Sequence, residues 1–290
     1  MDGVEAQVVG HPRQDMTAGS RRFYKMSGSG NDFVFFNLAD GPADGLDSPE
    51  KVKAISARGT GVGADGVVFL KGKAPDALEI RYYNSDGSLG ELCGNATLCT
   101  VELANRLGIA APGQLSILTD AGVVTARVAN GLPEIDLAPV TEVKPDLNSI
   151  PRSSREERLG FVRVGVPHVV ILDADVAGAD VVGRGSAIRR DKSLRDGANV
   201  NFVSRHKDDG WLIRTYERGV EAETLACGTG AVASGILLVE WGEASSPVRL
   251  WTRSGRALEV TVRRSGEQWM PSLRGSAELV FSGELPLSDS

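Results

Sequence analysis

Alternation of apolar and polar positions predicts strands at 32-DFVFFNL-38, 65-DGVVFLK-71, 78-LEIRYYN-84, 115-LSILTD-120 and 122-GVVTARV-128. The same reading predicts 169-VVILD-173, 199-NVNFVSR-205, 211-WLIRTYE-217, 247-PVRLWTR-253 and 257-ALEVTVRR-264. Two segments change period. Residues 95–108 and 229–242 read as helices, each stopped by a glycine, Gly108 and Gly242. The second is apolar nearly all round, the mark of a buried helix, and Ala231, Ala233, Ser234 and Gly235 let a sheet approach it closely. Shorter helices are expected at 48–57 and 186–191. Many strands with one central helix per half predict an α+β fold of two pseudo-symmetric domains, each a curved, mostly antiparallel sheet wrapped around a central helix.

The chain also repeats itself. Cys93-Gly and Cys227-Gly stand 134 positions apart (227 − 93), and so do Asp65 and Asn199, each opening a strand. Gly30 and Gly165 stand 135 apart, Asn84 and Glu217 133. Landmarks in one order at one offset indicate duplication. The expected organisation is a flexible tail over 1–20, a first domain over 21–142 and a second over 143–275. Residues 143–160 form the crossing, and a final strand near 276–285 returns to the first domain.

Composition narrows the function classes. The chain has 290 residues, 41% of them apolar and 24% charged, as in an ordinary globular protein. A net charge of −6 with no dense Lys/Arg patch argues against nucleic acid. The longest apolar run, 231–239, is too short for a bilayer, and the first residues lack the basic and apolar blocks of a secretory signal. The expectation is a cytoplasmic protein without membrane or nucleic-acid partners. Three cysteines there imply free thiols, and their spacing, with His11, His168 and His206 scattered, is not that of a metal site.

Cys93 and Cys227 each stand where an extended segment enters a helix. Unpaired N–H groups and the helix dipole make such a place electropositive. The expected consequences are a thiol pKa lowered from about 8.5 toward neutrality and attraction of a carboxylate. With the two sites face to face, one thiolate removes a proton from carbon and the opposite thiol returns one to the other face. That is the chemistry of an amino-acid racemase or epimerase, and it needs no cofactor. The partner is then a small amino acid. Cys99, within the helix, reads as core.

The motifs 28-GSGNDFV-34, 58-RGTGVGADG-66, 84-NSDGSLGELCGN-95, 165-GVPH-168, 199-NVNF-202, 216-YERG-219 and 224-TLACGTGA-231 together resemble the diaminopimelate epimerase family, over about residues 23–282. The resemblance implies a cofactor-independent enzyme of two similar domains, interconverting LL- and meso-2,6-diaminopimelate for lysine and cell-wall synthesis, with a homodimer among the assemblies open to it. It implies that Cys93 and Cys227 are the catalytic thiols. Gly94, Asn95, Gly228 and Thr229 match backbone donors around the reacting carboxylate. Asn31, Asn84 and Asn199 match substrate-binding amides, and Glu217 and Arg218 the pair that holds the substrate, with Arg218 on its distal carboxylate. His168 matches a histidine near the site. The sequence departs from the family pattern at Val166, where an asparagine is usual, at Ala96 and Leu98, and in 219-GVEAET-224, which carries an insertion and an extra acid. A racemase of another amino acid such as histidine, and an amino-acid-binding homologue without turnover, therefore stay open. The glycine-rich 59–66 segment reads as a loop needing positive φ.

Overall fold

The computed structural model describes residues 19–110 and 113–287. Of the expected tail over 1–20, residues 1–18 lie outside the described residues, and Ser20 already opens the first strand. The first half of the chain forms β1 (Ser20–Gly28), β2 (Asn31–Asn37), α1 (Pro49–Ser56), β3 (Gly66–Ala74), β4 (Ala77–Asn84), β5 (Leu89–Gly90), α2 (Gly94–Arg106), β6 (Leu115–Thr119), β7 (Gly122–Ala129) and β8 (Leu132–Asp136). The second half forms β9 (Val143–Lys144), β10 (Glu156–Val164), β11 (Val166–Asp173), α3 (Val181–Arg189), β12 (Asn199–Arg205), β13 (Trp211–Glu217), β14 (Ala222–Thr224), α4 (Gly228–Glu240), β15 (Val248–Trp251), β16 (Ala257–Ser265), β17 (Gln268–Gly275) and β18 (Ala277–Pro286).

Strand pairing repeats between the halves. β1–β2 is antiparallel, β2–β3 parallel, β3–β4 antiparallel, β4–β6 parallel, and β6–β7 and β7–β8 antiparallel. The second half runs through the same series: β10–β11 antiparallel, β11–β12 parallel, β12–β13 antiparallel, β13–β15 parallel, then β15–β16 and β16–β17 antiparallel. β8 pairs with β17 through Asp136–Ser272, Ile135–Leu273 and Glu134–Arg274, so the two curved sheets join along one seam. β18 pairs with β1 from Ser20–Pro286 to Gly28–Ala277, which carries the last strand back to the first. The result is the two-domain, sheet-dominated α+β fold that the period pattern predicts.

α2 and α4 run inside the sheets. Ala96, Leu98, Cys99, Val101 and Leu103 of α2 share one continuous core with Ala231, Val232, Ile236, Leu237 and Leu238 of α4. α1 and α3 cover the outer faces over separate cores. Both long helices end where expected, before Gly108 (φ 64) and Gly242 (φ 76).

Seven strands escape the period reading: the short β5, β9 and β14, and β1, β8, β10 and β17. β17 contains Pro271, ordinarily a strand breaker. Its carbonyl still accepts from Leu137 N at 3.0 Å. Residues 156–160, read as the end of the crossing, belong to β10, whose segment 159–162 is buried on both faces and so does not alternate. α3 starts earlier than the expected helix at 186. Asp180 caps it, accepting from Gly183 N at 2.9 Å. Its glycines hide it from propensity, yet a Cβ at Gly185 would lie 2.5 Å from Tyr216 Cβ, so close packing on β13 demands glycine there.

Candidate active site

The two thiols have the same backbone setting. Cys93 is the N-cap of α2 (φ −124°, ψ 113°) and Cys227 the N-cap of α4 (φ −136°, ψ 111°). Neither side chain caps its helix, so both sulfurs stay at the helix mouths. The backbone N–H groups of Asn95 and Ala96 nonetheless draw the Cys93 thiol pKa down, as that of Gly230 does for Cys227.

The two helix starts meet. A Cβ built on Gly94 would lie 3.1 Å from Leu273 Cδ2, and one built on Gly228 would lie 3.1 Å from the same atom. The Gly228 position is also 3.5 Å from Asn95 Oδ1, across the boundary between halves. Leu273 is fully buried and belongs to the seam strand β17. Leu273→Ala is expected to destabilise the protein by about 2–5 kcal/mol, through lost burial and the cavity left between the helix starts. Urea denaturation checks this, and a cost below about 1 kcal/mol would mean that the helix starts do not bear on this side chain.

The thiol titration is the reverse of the sequence expectation. Burial pushes Cys93 up to about 11 and Cys227 up to about 12. The Glu217 carboxylate adds to both shifts. Helix N–H groups do pull both thiols down, but by less than burial pushes them up. A motif shows the helix terminus and not the depth at which it lies. Cys99 is buried in the core, and burial holds its thiol well above its ordinary value.

On the first half, a chain of polar contacts leads to Asn95. Asn95 Nδ2 donates to Asn31 Oδ1 at 2.6 Å, and Asn31 Nδ2 donates to Asp65 Oδ2 at 2.9 Å. Arg58 pairs with both Asp32 and Asp65 at 2.6 Å, and Lys25 with Asp32 at 2.6 Å. Asn95 Oδ1 is buried without a hydrogen-bond partner among the described residues, a free acceptor beside Gly228. Asn84 accepts from the Tyr82 hydroxyl at 2.9 Å and donates to Ser88 Oγ at 3.0 Å. The glycine-rich 59–66 loop turns through Gly63 (φ 78), whose carbonyl accepts from Lys25.

On the second half, Asn199 Oδ1 accepts from Arg218 N at 2.8 Å. The Arg218 guanidinium donates to Asp196 O at 3.0 Å. Glu217 is largely buried, and burial raises its carboxyl pKa against the pull of the Thr224 hydroxyl. Its charge acts on Cys93 and Tyr82 of the first half and on Cys227 of the second. Thr229 Oγ1 lies 3.7 Å from Cys227 Sγ. His168 is fully buried on β11. Its Nδ1 accepts from Asn201 Nδ2 at 3.2 Å, which leaves the proton on Nε2. Burial, aided by the Arg218 charge, lowers its pKa to about 3. His168 is therefore a neutral prop rather than an acid at working pH. Asn201 in turn accepts from Thr215 at 2.9 Å and packs under Gly230 at the start of α4.

The structure thus brings Cys93, Gly94, Asn95 and Asn31 together with Cys227, Gly228 and Thr229. Asn84 stands on the Tyr82 side of this group, and Asn199, Arg218 and His168 form a cluster beyond Cys227. The extra acid of the 219–224 insertion points elsewhere: Glu221 (φ 56) accepts from Gly219 N at 3.2 Å and pairs with Arg189 at 3.1 Å. Ala96 and Leu98 face the core. Sequence reasoning misses Tyr82, Asp65, Asn201 and Leu273 as site residues. Asp65 and Asn201 lie inside quoted motifs, a usable signal; Tyr82 and Leu273 read only as strand residues.

Comparison with known proteins agrees with this architecture. The profile of the family described as diaminopimelate epimerase matches residues 23–137 and 160–280. A diaminopimelate epimerase from Gemmatimonas aurantiaca is 46% identical over 275 residues, covering 91% of this chain and 98% of its own. One from Aquifex aeolicus is 38% identical over 275 residues, covering 91% and 97%. Among solved structures, a PhzF-family phenazine biosynthesis protein from Bacillus anthracis superposes with a TM-score of 0.69 at 16% identity, over 92% of this chain and 99% of that one. A probable proline racemase from Agrobacterium radiobacter K84 gives 0.65 at 16% identity, over 92% and 93%. These two likenesses are of fold. The sequence matches go further, and the chain belongs to the diaminopimelate epimerase family.

Proposed function

We propose that the protein is an isomerase that interconverts LL- and meso-2,6-diaminopimelate, in the supply of lysine and peptidoglycan precursors. The observation that carries this reading is the meeting of two cysteine N-caps, one from each half, at Leu273. The substrate α-carboxylate sits between the starts of α2 and α4, facing the N–H groups of Gly94, Asn95, Gly228 and Thr229. One sulfur, as thiolate, takes the α-proton. The C–H electron pair moves into the carboxylate as an enediolate, and an S–H bond forms. The opposite thiol then protonates the other face of the carbon and becomes the thiolate. Helix N–H groups aimed at the developing charge supply the electrostatic stabilisation that dominates such barriers. Asn31, Asn84, Asn199 and Glu217 bind the remainder of the substrate, with Arg218 on the distal carboxylate and His168 supporting Asn201 beneath α4. In this reading the enzyme needs no cofactor and works in the cytoplasm, with a homodimer as its candidate assembly. No helix among the described residues is long and apolar enough to cross a membrane.

The test is proton NMR of LL-diaminopimelate with the reduced protein in D2O, without added cofactor or metal. The expected result is loss of the α-proton signal with appearance of the meso isomer. Exchange confined to a different amino acid moves the substrate assignment. Absence of exchange with any amino acid leaves a binding protein and removes the catalytic reading.

A further inference from the structure

A phenol stands beside Cys93 and has no place in the two-thiol scheme. Tyr82 lies near the end of β4, and its ring is clasped between two glycines. A Cβ on Gly66 would fall 2.6 Å from Tyr82 Cε2, and one on Gly90 would fall 2.5 Å from Cδ1 and 2.6 Å from Cε1. Phe33 packs against the ring edge-to-face, with centroids 6.1 Å apart. The ring therefore has one placement. Its hydroxyl donates to Asn84 Oδ1 at 2.9 Å and lies close enough to Cys93 to lower the thiol's pKa. Tyr82 and Cys93 line one small cavity together with Glu91 and Asp120.

A phenol has a single proton to give. While that proton is on Asn84, the phenolic oxygen is free to accept from the Cys93 S–H. A thiolate has nothing to donate, so a buried one needs donors turned toward it. We propose, building on the two-thiol reading, that Tyr82 is a further catalytic residue: its hydroxyl accepts from the Cys93 thiol, and turns from Asn84 Oδ1 to donate to the sulfur when Cys93 is a thiolate. No proton leaves the tyrosine; the O–H bond rotates about Cζ–Oη and the hydrogen bond changes acceptor.

The surroundings of Cys93 make such a donor valuable. The titratable groups that face it or line its cavity are Glu217 on β13, Cys227 at the start of α4, Cys99 on α2, and Glu91 and Asp120; Asp65 faces Tyr82 and Glu217. Each is negative when ionised and opposes a thiolate. The opposing donors are the Asn95 and Ala96 amides and the Tyr82 hydroxyl. Burial, and then the charge of Cys93, holds the phenol well above its usual 10, so Tyr82 keeps its proton throughout the working range. Beside Cys227, among the described residues, the side-chain donor is the aliphatic hydroxyl of Thr229 at 3.7 Å, with the Gly230 amide. The two thiols are thus served unequally.

Tyr82→Phe removes the hydroxyl and keeps the clasped ring. The experiment follows iodoacetamide alkylation of Cys93 against pH in the Cys227→Ser protein, with and without Tyr82→Phe, read by peptide mass. Losing a donor to the charged form moves the alkylation midpoint up, by about one pH unit or more. With Cys227 intact, Tyr82→Phe is expected to lower kcat roughly 10- to 100-fold with KM within about threefold of the parent. Gly90→Ala, which displaces the ring but retains the hydroxyl, is expected to move the midpoint in the same direction. An unmoved midpoint in both variants, in an enzyme that requires Cys93, overturns the role and leaves Tyr82 a packing residue. Turnover that survives Cys93→Ser overturns the two-thiol reading itself, and the catalytic role of Tyr82 with it.

Discussion

Serine in place of either Cys93 or Cys227 is expected to slow conversion of LL- to meso-diaminopimelate by about 10²–10⁴-fold, the share that general acid–base action ordinarily supplies. A serine hydroxyl is far less acidic than a thiol, so the base form is missing from the variant. The loss is expected at both positions, because each sulfur is base in one direction and acid in the other. Both stand at N-caps of matching backbone geometry, and both helix starts press on Leu273. Substrate affinity should change little, since the N–H groups of α2 and α4 belong to the backbone. Initial rates by NMR, with calorimetric binding of substrate, separate the two effects. A single serine variant that keeps more than about a tenth of the parent rate would remove that cysteine from the proton transfer.

Acidification from pH 7 to pH 5 is expected to withdraw about 2 kcal/mol of stability through His168 alone. In the folded protein burial holds this imidazole neutral down to about 3, with the Arg218 charge adding to the effect. In the unfolded chain it takes up a proton near its ordinary value of about 6.5. Its contribution is therefore whole above the unfolded value and falls as pH drops from there toward 3, because only the unfolded state gains the proton. Buried Glu217 has the opposite sign: its raised carboxyl pKa favours the folded state at low pH and loses that contribution as pH rises. The His168 share is isolated by comparing denaturation free energies of the parent and His168→Gln at both pH values. A glutamine can still accept from Asn201, but it does not titrate. Equal pH slopes in the two proteins would show that this imidazole does not resist protonation.

The reversal at the two thiols shows where sequence reading stops. The strand-to-helix junctions at 93 and 227 were legible, because a cysteine followed by glycine and small or polar residues marks a helix start. The direction of the thiol shift was not legible, since it depends on how much solvent the neighbouring half excludes. The Asn31, Asn84, Asn95 and Asn199 motifs were equally visible. Tyr82 was hidden, because a tyrosine near the end of an apolar strand looks like core until Gly66 and Gly90 are seen to fix its ring. Asn201 is adjacent in sequence to recognised motif residues, but its support of both His168 and the start of α4 comes from pairing between β11 and β12.

By itself the sequence determined the elements with clear period, the duplication at an offset near 134 and the two thiol positions, since these follow from local pattern and spacing. It could not determine β10, buried on both faces over 159–162, or β17, interrupted by Pro271. Only the tertiary structure joined β8 to β17, pressed both helix starts on Leu273 and brought Tyr82 to Cys93. The physical reason is common to all three: long-range packing and desolvation are properties of what lies opposite a residue, and the chain near it in sequence does not specify them.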